Sequence, residues 1–282
     1  MKKIFMVVFM TIILSEFSNA FSKDAIVFAT FGTRSRSNDT YSYFEKIAKN
    51  QFKNYTIKWA YTSKKIRAIE DNIQKQSLSD VLKKLHFDGY NRIFVQPLFI
   101  FPAYEYLLLL EEVNKFNNMK IIVSKPLIYD ELDMEAALDI VSKYFSPDSL
   151  NIIVAHGTKE KLGNFNHIYH SLASYINNNY SNAVLITIDG QPGISKLTEK
   201  LTTRTYSKAL FIPFMFTAGI HIEEDVNSDN SLIKTTVKKY VKEISILDVT
   251  YNNSSYYMGL GLNRGIVELF IKKLKQIIKN GN

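Results

Sequence analysis

Short apolar stretches alternate along this chain with longer stretches in which apolar residues recur every three or four positions. The short stretches are rich in β-branched and aromatic residues, as is typical of buried strands. The longer stretches have the spacing of amphipathic helices that bury one face. The predicted strands are residues 25–30, 56–61, 92–98, 120–124, 151–155, 183–188, 208–214 and 244–249. The predicted helices include residues 41–52, 78–86, 132–144 and 232–241.

This alternation of strands and helices predicts an α/β fold. Strands that are separated by helices form βαβ units, and such units build parallel sheets. Several of the predicted strands are apolar at every position, which indicates that helices cover both faces of the sheets.

The two halves of the chain repeat one pattern. The first predicted strand runs into Phe31-Gly32-Thr33, and the first strand of the second half runs into His156-Gly157-Thr158. We therefore predict two similar α/β lobes, residues 21–147 and 148–282, which meet near Ser146-Pro147-Asp148 without a long linker. The C-terminal lobe is expected to carry most of the metal-site residues.

Residues 1–20 have the pattern of a secretory signal peptide. Two lysines precede an apolar stretch, residues 4–14, and Ser18-Asn19-Ala20 then supplies a small-residue cleavage site. The apolar stretch is shorter than the roughly 18–20 residues that span a bilayer. We expect cleavage after Ala20, export to the periplasm or the medium, and no stable membrane insertion of the mature chain.

Composition excludes several classes of protein. Of the 282 residues, 46% are hydrophobic and 22% charged, which is typical of a globular protein rather than a disordered one. The absence of cysteine excludes disulfides, thiolate catalysis and thiolate metal sites. A net charge of +8 suits an anionic small molecule as well as a nucleic acid. No nucleic-acid-binding motif occurs, so we expect a small-molecule partner and no nucleic acid, with homo-oligomerisation left open.

Four polar residues follow predicted strands. When Pro97 is aligned with Pro213, the same offset places Glu105 on His221. Ligands of open α/β sheets bind at the carboxyl ends of strands. Two imidazoles and one or two carboxylates suit Co²⁺, Fe²⁺, Ni²⁺ or Zn²⁺ and leave coordination positions open. The four candidates are Glu105, His156, Asp189 and His221; the alternative for each histidine is a capped polar residue of structural importance only.

Three other features suggest chemistry less strongly. His167 and His170 are three residues apart on a predicted helix, where a solvent-exposed face is the simpler explanation. His86 ends a predicted helix, where an imidazole interacts favourably with the helix dipole. The glycines of residues 259–265 imitate a phosphate-binding loop, but the segment lacks the strand and acidic residue of a dinucleotide site.

The order and spacing of several segments of this chain resemble those of the anaerobic sirohydrochlorin cobaltochelatase family of the CbiK type. The resemblance extends from about residue 25 to residue 277 and rests on the duplicated lobes, on His156-Gly157 and on residues 218–225. Matching segments are Phe31-Gly32-Thr33, Tyr61-Thr62-Ser63, Tyr104-Glu105-Tyr106 and Gly259-Leu260-Gly261. The resemblance implies a chelatase fold, in which two lobes enclose a cleft for a tetrapyrrole.

The resemblance also implies roles for individual residues. His156 and His221 match the metal-binding histidines, and Asp189 stands where the family has a glutamate. Glu105 matches an acidic position that faces the cleft, and we assign it and His156 to proton transfer. The positions expected to contact the substrate are Phe31, Gly32, Thr33, Thr62 and Ser63. Basic residues near the early strand ends, expected to meet substrate carboxylates, are Arg34, Arg36 and Lys64.

The expected function is that of a sirohydrochlorin cobaltochelatase-like enzyme in anaerobic cobalamin or tetrapyrrole biosynthesis. Its metal is a substrate, with Co²⁺ favoured and Fe²⁺ or Ni²⁺ as alternatives, and no organic cofactor is expected. Asp189 and export both depart from the cytoplasmic members of the family. The alternative is therefore an exported haem-, tetrapyrrole- or metal-binding protein that has lost insertion activity.

Overall fold

Each half of the chain contains a four-stranded parallel sheet. The computed structural model describes residues 23–34, 39–69, 75–158 and 165–281, so the predicted signal peptide and Arg36 lie outside the described residues. The strands of the first sheet, in the order β2-β1-β3-β4, are β1 (Asp24–Thr30), β2 (Thr56–Tyr61), β3 (Arg92–Pro97) and β4 (Lys120–Val123). Those of the second, in the order β6-β5-β7-β8, are β5 (Ser149–Gly157), β6 (Ala183–Asp189), β7 (Lys208–Pro213) and β8 (Glu243–Ile246). The equivalent strand orders confirm the predicted α/β fold of two similar parallel sheets.

Helices connect the strands. In chain order the α-helices are α1 (Asp39–Gln51), α2 (Lys64–Arg67), α3 (Leu78–Phe87), α4 (Tyr104–Val113), α5 (Glu131–Val141), α6 (Asn166–Asn179), α7 (Ile194–Thr203), α8 (Leu232–Val237) and α9 (Arg264–Gly281). Two 3₁₀ turns, Ser142–Tyr144 and Leu260–Leu262, and one π-helix, Ile222–Val226, complete the described connections.

The apolar positions of the strands divide into inner and outer faces. Side chains alternate along a strand, and in β1 Ile26 and Phe28 face a core that both sheets share, whereas Val27 faces an outer core. Helices α1, α5, α6 and α9 fill the shared core between the sheets. Helices α3 and α4 cover the outer face of the first sheet, and α7 and α8 cover that of the second.

The predicted strand 244–249 is wrong as a single element. The amide of Leu247 donates to the carbonyl of Phe211 at 2.8 Å, and the chain then leaves the second sheet. It forms an antiparallel hairpin of β9 (Asp248–Tyr251) and β10 (Ser254–Tyr257). Asn252 and Asn253 make the turn with φ angles of 49° and 61°, as a type I′ turn requires.

Two further differences concern helices. The predicted helix 232–241 ends at Val237, because the amides of Lys239 and Tyr240 bond to carbonyls three residues back and tighten the chain into a turn. Helix α9 belongs to the second half of the sequence but also contacts strands β3 and β4 of the first sheet. Within the described ranges, no helix is both long and apolar enough to span a bilayer.

Candidate metal centre

Two histidines meet at the carboxyl edge of the second sheet. His156 is the penultimate residue of β5, and His221 directly precedes the π-helix Ile222–Val226 that follows β7. Their ring centroids are 4.7 Å apart and the ring planes are perpendicular. The fully buried Ile222 and Val226 anchor the π-helix in the outer core of this sheet, and this packing holds His221 beside His156.

The hydrogen bonds of the two rings leave one nitrogen of each available. Nδ1 of His156 lies 3.2 Å from the carbonyl oxygen of Gly157, and Nδ1 of His221 lies 2.8 Å from Oδ2 of Asp225. A carbonyl oxygen can only accept, so Nδ1 of His156 carries a proton, and in the neutral ring Nε2 keeps the lone pair. The 4.7 Å between the ring centroids is short enough for both imidazoles to bind one ion.

Gly157 fixes how closely the neighbouring strand approaches. Its φ is +82°, and a Cβ there would lie 1.8 Å from the carbonyl oxygen of Asp189. The amide of Thr158 donates to that same oxygen at 3.0 Å. Glycine is therefore required at this position both by conformation and by space.

Asp189 ends β6, as predicted, but on the other side of the sheet from His156. The register pairs Asp189 with Gly157 and Thr187 with Ala155. Because side chains alternate, Asp189 shares the inner face with Ala155, and His156 shares the outer face with Val154. The carboxylate therefore approaches the histidine pair only over the ends of the strands.

Glu105 and His221 do not lie at strand ends, contrary to the expectation. Each belongs to the first helical segment after its strand, and Glu105 occupies the first turn of α4. A carboxylate is stabilised there by the positive end of the helix dipole. The structure places Glu105 on the first lobe, where its charge acts on Tyr169 of the second.

A buried tyrosine that the sequence analysis missed lies beside the histidine strand, within the electrostatic influence of Glu105. Burial raises the pKa of Tyr169 to about 12, hydrogen bonds to Thr158 and to the Gly157 backbone oppose the shift, and the Glu105 carboxylate adds to it. Its ring also contacts Phe101 of the first lobe edge to face, with centroids 4.9 Å apart. Tyr169 thus joins the two lobes beneath the carboxyl edge of β5.

The first lobe contains an equivalent tyrosine. The hydroxyl of Thr30 donates to the phenol of Tyr41 at 3.2 Å, and burial raises the pKa of Tyr41. The ring of Tyr41 stacks on Phe216 of the second lobe with centroids 5.8 Å apart. Each lobe therefore inserts one buried phenol from the helix after its first strand towards the other lobe.

The four candidate ligands do not form one cluster. Among the described residues, no group of three or more His, Cys, Asp or Glu side chains is placed to hold a metal ion. The structure brings His156 and His221 together, whereas Asp189 and Glu105 stand apart from them. Metal binding by the pair and a third ligand stays a prediction.

The predicted substrate contacts surround the equivalent edge of the first sheet. Phe31 is 50% exposed there, and Gly32 has a φ of +94°. Thr33 is buried. The amide of Thr62 donates to the carbonyl of Thr30 at 2.8 Å, and the hydroxyl of Ser63 caps α2 by accepting from Ile66. The aromatic face of Phe31 is thus the most open of these positions, and the hydroxyl of Ser63 already has a structural role.

Basic and imidazole side chains elsewhere have separate surroundings. Arg34 and Lys64 are exposed near the edge of the first sheet. His167 and His170 are exposed on α6, as expected. His86 lies in the last turn of α3, as predicted, with Nε2 3.4 Å from Nδ2 of Asn118.

A groove borders the π-helix on the hairpin side of the second lobe. It is lined by Ala218, Glu223, Asn227, Lys234, Ile244, Ser245, Ile246, Asp248, Ser255, Tyr256 and Tyr257. The four candidate ligands do not line it. The groove and the histidine pair are therefore neighbouring but separate features.

Comparisons with known sequences found a matching family model and a curated relative. The sequence model of the cobalt chelatase (CbiK) family matches residues 24–279. The sirohydrochlorin cobaltochelatase CbiKC of Nitratidesulfovibrio vulgaris is 24% identical over 216 residues, which cover 73% of this chain and 76% of that protein.

Solved structures show the same fold. SirB from Bacillus subtilis with Fe³⁺ is 13% identical with a TM-score of 0.62, and the match covers 92% of this chain and 97% of that one. The sirohydrochlorin chelatase SirB from Bacillus subtilis subspecies spizizenii in complex with cobalt is 12% identical with a TM-score of 0.56, covering 92% and 96%. The fold is thus that of the chelatases, and the match of the family model over nearly all described residues shows that the chain belongs to the CbiK cobalt chelatase family.

Proposed function

We propose that this protein is a metal chelatase that inserts a divalent ion, Co²⁺ in the first instance, into sirohydrochlorin. The observation that carries the proposal is the adjacent pair of imidazoles, His156 and His221, in a chain of the CbiK family. The sirohydrochlorin cobaltochelatase activity named for the relative from Nitratidesulfovibrio vulgaris supports both the substrate and the metal.

Insertion exchanges two pyrrole protons for one metal ion. Neutral imidazole suits both halves of this exchange, because its lone pair binds a divalent ion or accepts a proton near neutral pH. As the ion passes to the macrocycle, Nε2 of His156 is freed and accepts the first proton. Glu105, whose charge acts on the nearby Tyr169, takes the second proton. Phe31 offers an exposed ring to the flat macrocycle, and Arg34 and Lys64 meet its carboxylates.

A second candidate is a tetrapyrrole- or metal-binding protein without insertion activity. The observation in its favour is that the described residues bring only two of the candidate ligands together. Incubation with sirohydrochlorin and Co²⁺, Fe²⁺ or Ni²⁺ in parallel, followed by absorbance, separates the two. Metal-dependent spectral conversion at a rate above that of free solution supports the chelatase. Binding of the tetrapyrrole without conversion supports the carrier.

Replacement of either histidine tests the metal site. We expect His156→Ala and His221→Ala each to weaken Co²⁺ binding at least tenfold, about 1.4 kcal/mol, because each removes one of two adjacent nitrogen ligands. Calorimetric titration measures the affinity, and His170→Ala, an exposed histidine on α6, is the control. Unchanged affinity in either of the first two variants would move the site elsewhere.

We further propose that the protein is exported. The proposal is supported by the lysines, the short apolar stretch and the small residues that end at Ala20. N-terminal sequencing of the protein from the periplasmic fraction should start at Phe21. A chain in that fraction that still starts at Met1 would contradict cleavage.

A further inference from the structure

One carboxylate close to the histidine pair has no role in the scheme above. Oδ2 of Asp225 lies 2.8 Å from Nδ1 of His221, and each side chain is 44% exposed. Asp225 is four residues after His221, within the π-helix Ile222–Val226. It was not among the candidate residues, although the spacing of four on a helix and its place in the matching segment 218–225 pointed to it.

We propose that Asp225 is a positioning residue that fixes the tautomer and the orientation of His221. A carboxylate only accepts hydrogen bonds, so Nδ1 of His221 donates, and in the neutral ring Nε2 keeps the lone pair. Carboxylates that accept from one ring nitrogen of a metal-binding histidine raise the basicity of the other. The part of this inference that concerns metal binding rests on the proposed function, whereas the part that concerns the tautomer of His221 does not.

The local fold holds Asp225 in place. Its backbone carbonyl accepts a hydrogen bond from the hydroxyl of Ser231 at 2.6 Å, and Ser231 caps α8 by accepting from the amide of Lys234. The π-helical hydrogen bond from the amide of Asn227 to the carbonyl of Ile222, at 2.8 Å, closes the turn around it. π-helical turns are rare and occur frequently at functional sites.

The two histidines are oriented by different means. His156 uses the carbonyl of Gly157, which no side-chain substitution removes, whereas His221 uses the carboxylate of Asp225. Both arrangements leave Nε2 as the nitrogen with the lone pair, on rings whose centroids are 4.7 Å apart. The difference gives an internal control, because a change at Asp225 should affect His221 alone.

The experiment compares the wild type with Asp225→Ala, Asp225→Asn and Glu224→Ala. Glu224→Ala removes an exposed carboxylate from the same π-helix and is the matched control for charge. Long-range ¹H–¹⁵N correlation spectra of the metal-free proteins at pH 8.5, with histidine labelled, report which nitrogen of each ring is protonated. Calorimetric titration with Co²⁺ reports the affinity, and circular dichroism reports folding.

In the wild type and Glu224→Ala, we expect His221 to be protonated at Nδ1. In Asp225→Ala, the His221 signal should move towards protonation at Nε2, that of His156 should not move, and the Co²⁺ affinity should fall about ten- to a hundredfold. In Asp225→Asn, the amide oxygen still accepts, so the Nδ1–H tautomer and part of the affinity should return. This rescue keeps the test informative if the alanine variant folds poorly.

Three outcomes would overturn the inference. Protonation of His221 at Nε2 in the wild type removes its basis. An unchanged tautomer and affinity in Asp225→Ala shows that Asp225 does not position His221. An equal loss of affinity in Glu224→Ala assigns the effect to charge alone. A wild type that binds no Co²⁺ but shows the expected tautomers contradicts the proposed function and the metal step, and leaves the hydrogen bond established.

Discussion

At the scale of single residues, the expected contribution of Asp189 to metal binding depends on one methylene group. Asp189 lies at the end of β6 on the face opposite His156, so its carboxylate reaches the histidine pair only over the strand ends. Aspartate is shorter than glutamate, the residue that the resemblance implies at this position, by roughly 1.5 Å, a single C–C bond. Metal–oxygen bonds are about 2.0–2.2 Å long, so a gap of that size would lengthen and weaken the bond from Asp189.

We therefore predict that Asp189→Glu keeps or raises chelatase activity and Co²⁺ affinity, whereas Asp189→Ala lowers both. The alternative is that Asp189 only supports the turn through Gly190, in which case both variants lose thermal stability while the affinity of the folded protein stays constant. Measuring Co²⁺ affinity and melting temperature on the three proteins decides between them. Equal affinity in all three would show that Asp189 is not a ligand.

The raised pKa of Tyr169 predicts how the stability of the protein changes at alkaline pH. Burial raises its pKa from 10.0 to about 12, so the unfolded chain ionises first as pH rises. The contribution of the protonated, buried phenol to the free energy of unfolding is present in full below pH 10 and is lost progressively as the pH approaches 12. Its size is about 2–3 kcal/mol, since one pKa unit corresponds to about 1.4 kcal/mol.

Tyr169→Phe keeps the ring on Phe101 and removes the ionisable group, so the free energy of unfolding should fall less steeply between pH 10 and 12. Urea titrations at pH 8, 10 and 11.5 measure this slope. Tyr41→Phe should act in the same direction, because burial also raises that pKa. A slope identical to that of the wild type in both variants would mean that these phenols are not protected from ionisation.

Residue patterns identified the two histidines but not the groups that position them. His156 and His221 follow strands in a repeated pattern, and such residues can be recognised without knowing what they contact. Tyr169 could not be recognised, because its importance comes from the first lobe, where Phe101 contacts it and the charge of Glu105 acts on it. Contacts between residues far apart in sequence leave no local signal.

At the scale of secondary structure elements, apolar stretches located the parallel strands because helices bury both faces of each. The predicted strand 56–61 coincides with β2, and the other predicted strands of the first half differ from β1, β3 and β4 by one residue at an end. The boundary in 244–249 was missed because Leu247 continues the apolar run. Leu247 is the last residue bonded to the sheet, through the carbonyl of Phe211, and this contact forms only in the folded chain.

The hairpin of β9 and β10 shows what local chemistry could still have predicted. Asn252 and Asn253 lie between two stretches rich in β-forming residues, which is the signal for a two-residue hairpin turn. Where the hairpin docks could not be predicted. Tyr251 packs edge to face on Tyr43 of α1 with centroids 5.2 Å apart, and the hydroxyl of Tyr256 donates to the carboxylate of Asp39 at the start of that helix.

At the scale of the whole molecule, the two lobes share one core. Phe270 of α9 is fully buried and contacts Phe44 of the first lobe and Phe216 of the second, with centroids 6.1 and 5.8 Å apart. The carbonyl of Gly281 at the end of the same helix accepts a hydrogen bond from Lys120 of the first sheet at 2.7 Å. The repeat in the sequence therefore does not imply that the lobes are independent in stability.

We predict that the lobes unfold together and that Phe270→Ala destabilises both by about 3–5 kcal/mol, the usual cost of removing a buried phenylalanine side chain. The single tryptophan, Trp59, packs on Phe44 of the first lobe, so its fluorescence follows that lobe, whereas far-ultraviolet circular dichroism follows the whole chain. The two transitions in urea should coincide in the wild type and in the variant. Phe87→Ala, which removes a phenylalanine that is 89% exposed, is the matched control and should change the free energy of unfolding little. Separate transitions for fluorescence and dichroism would instead show two cores, and the histidine pair would then depend on the second lobe alone.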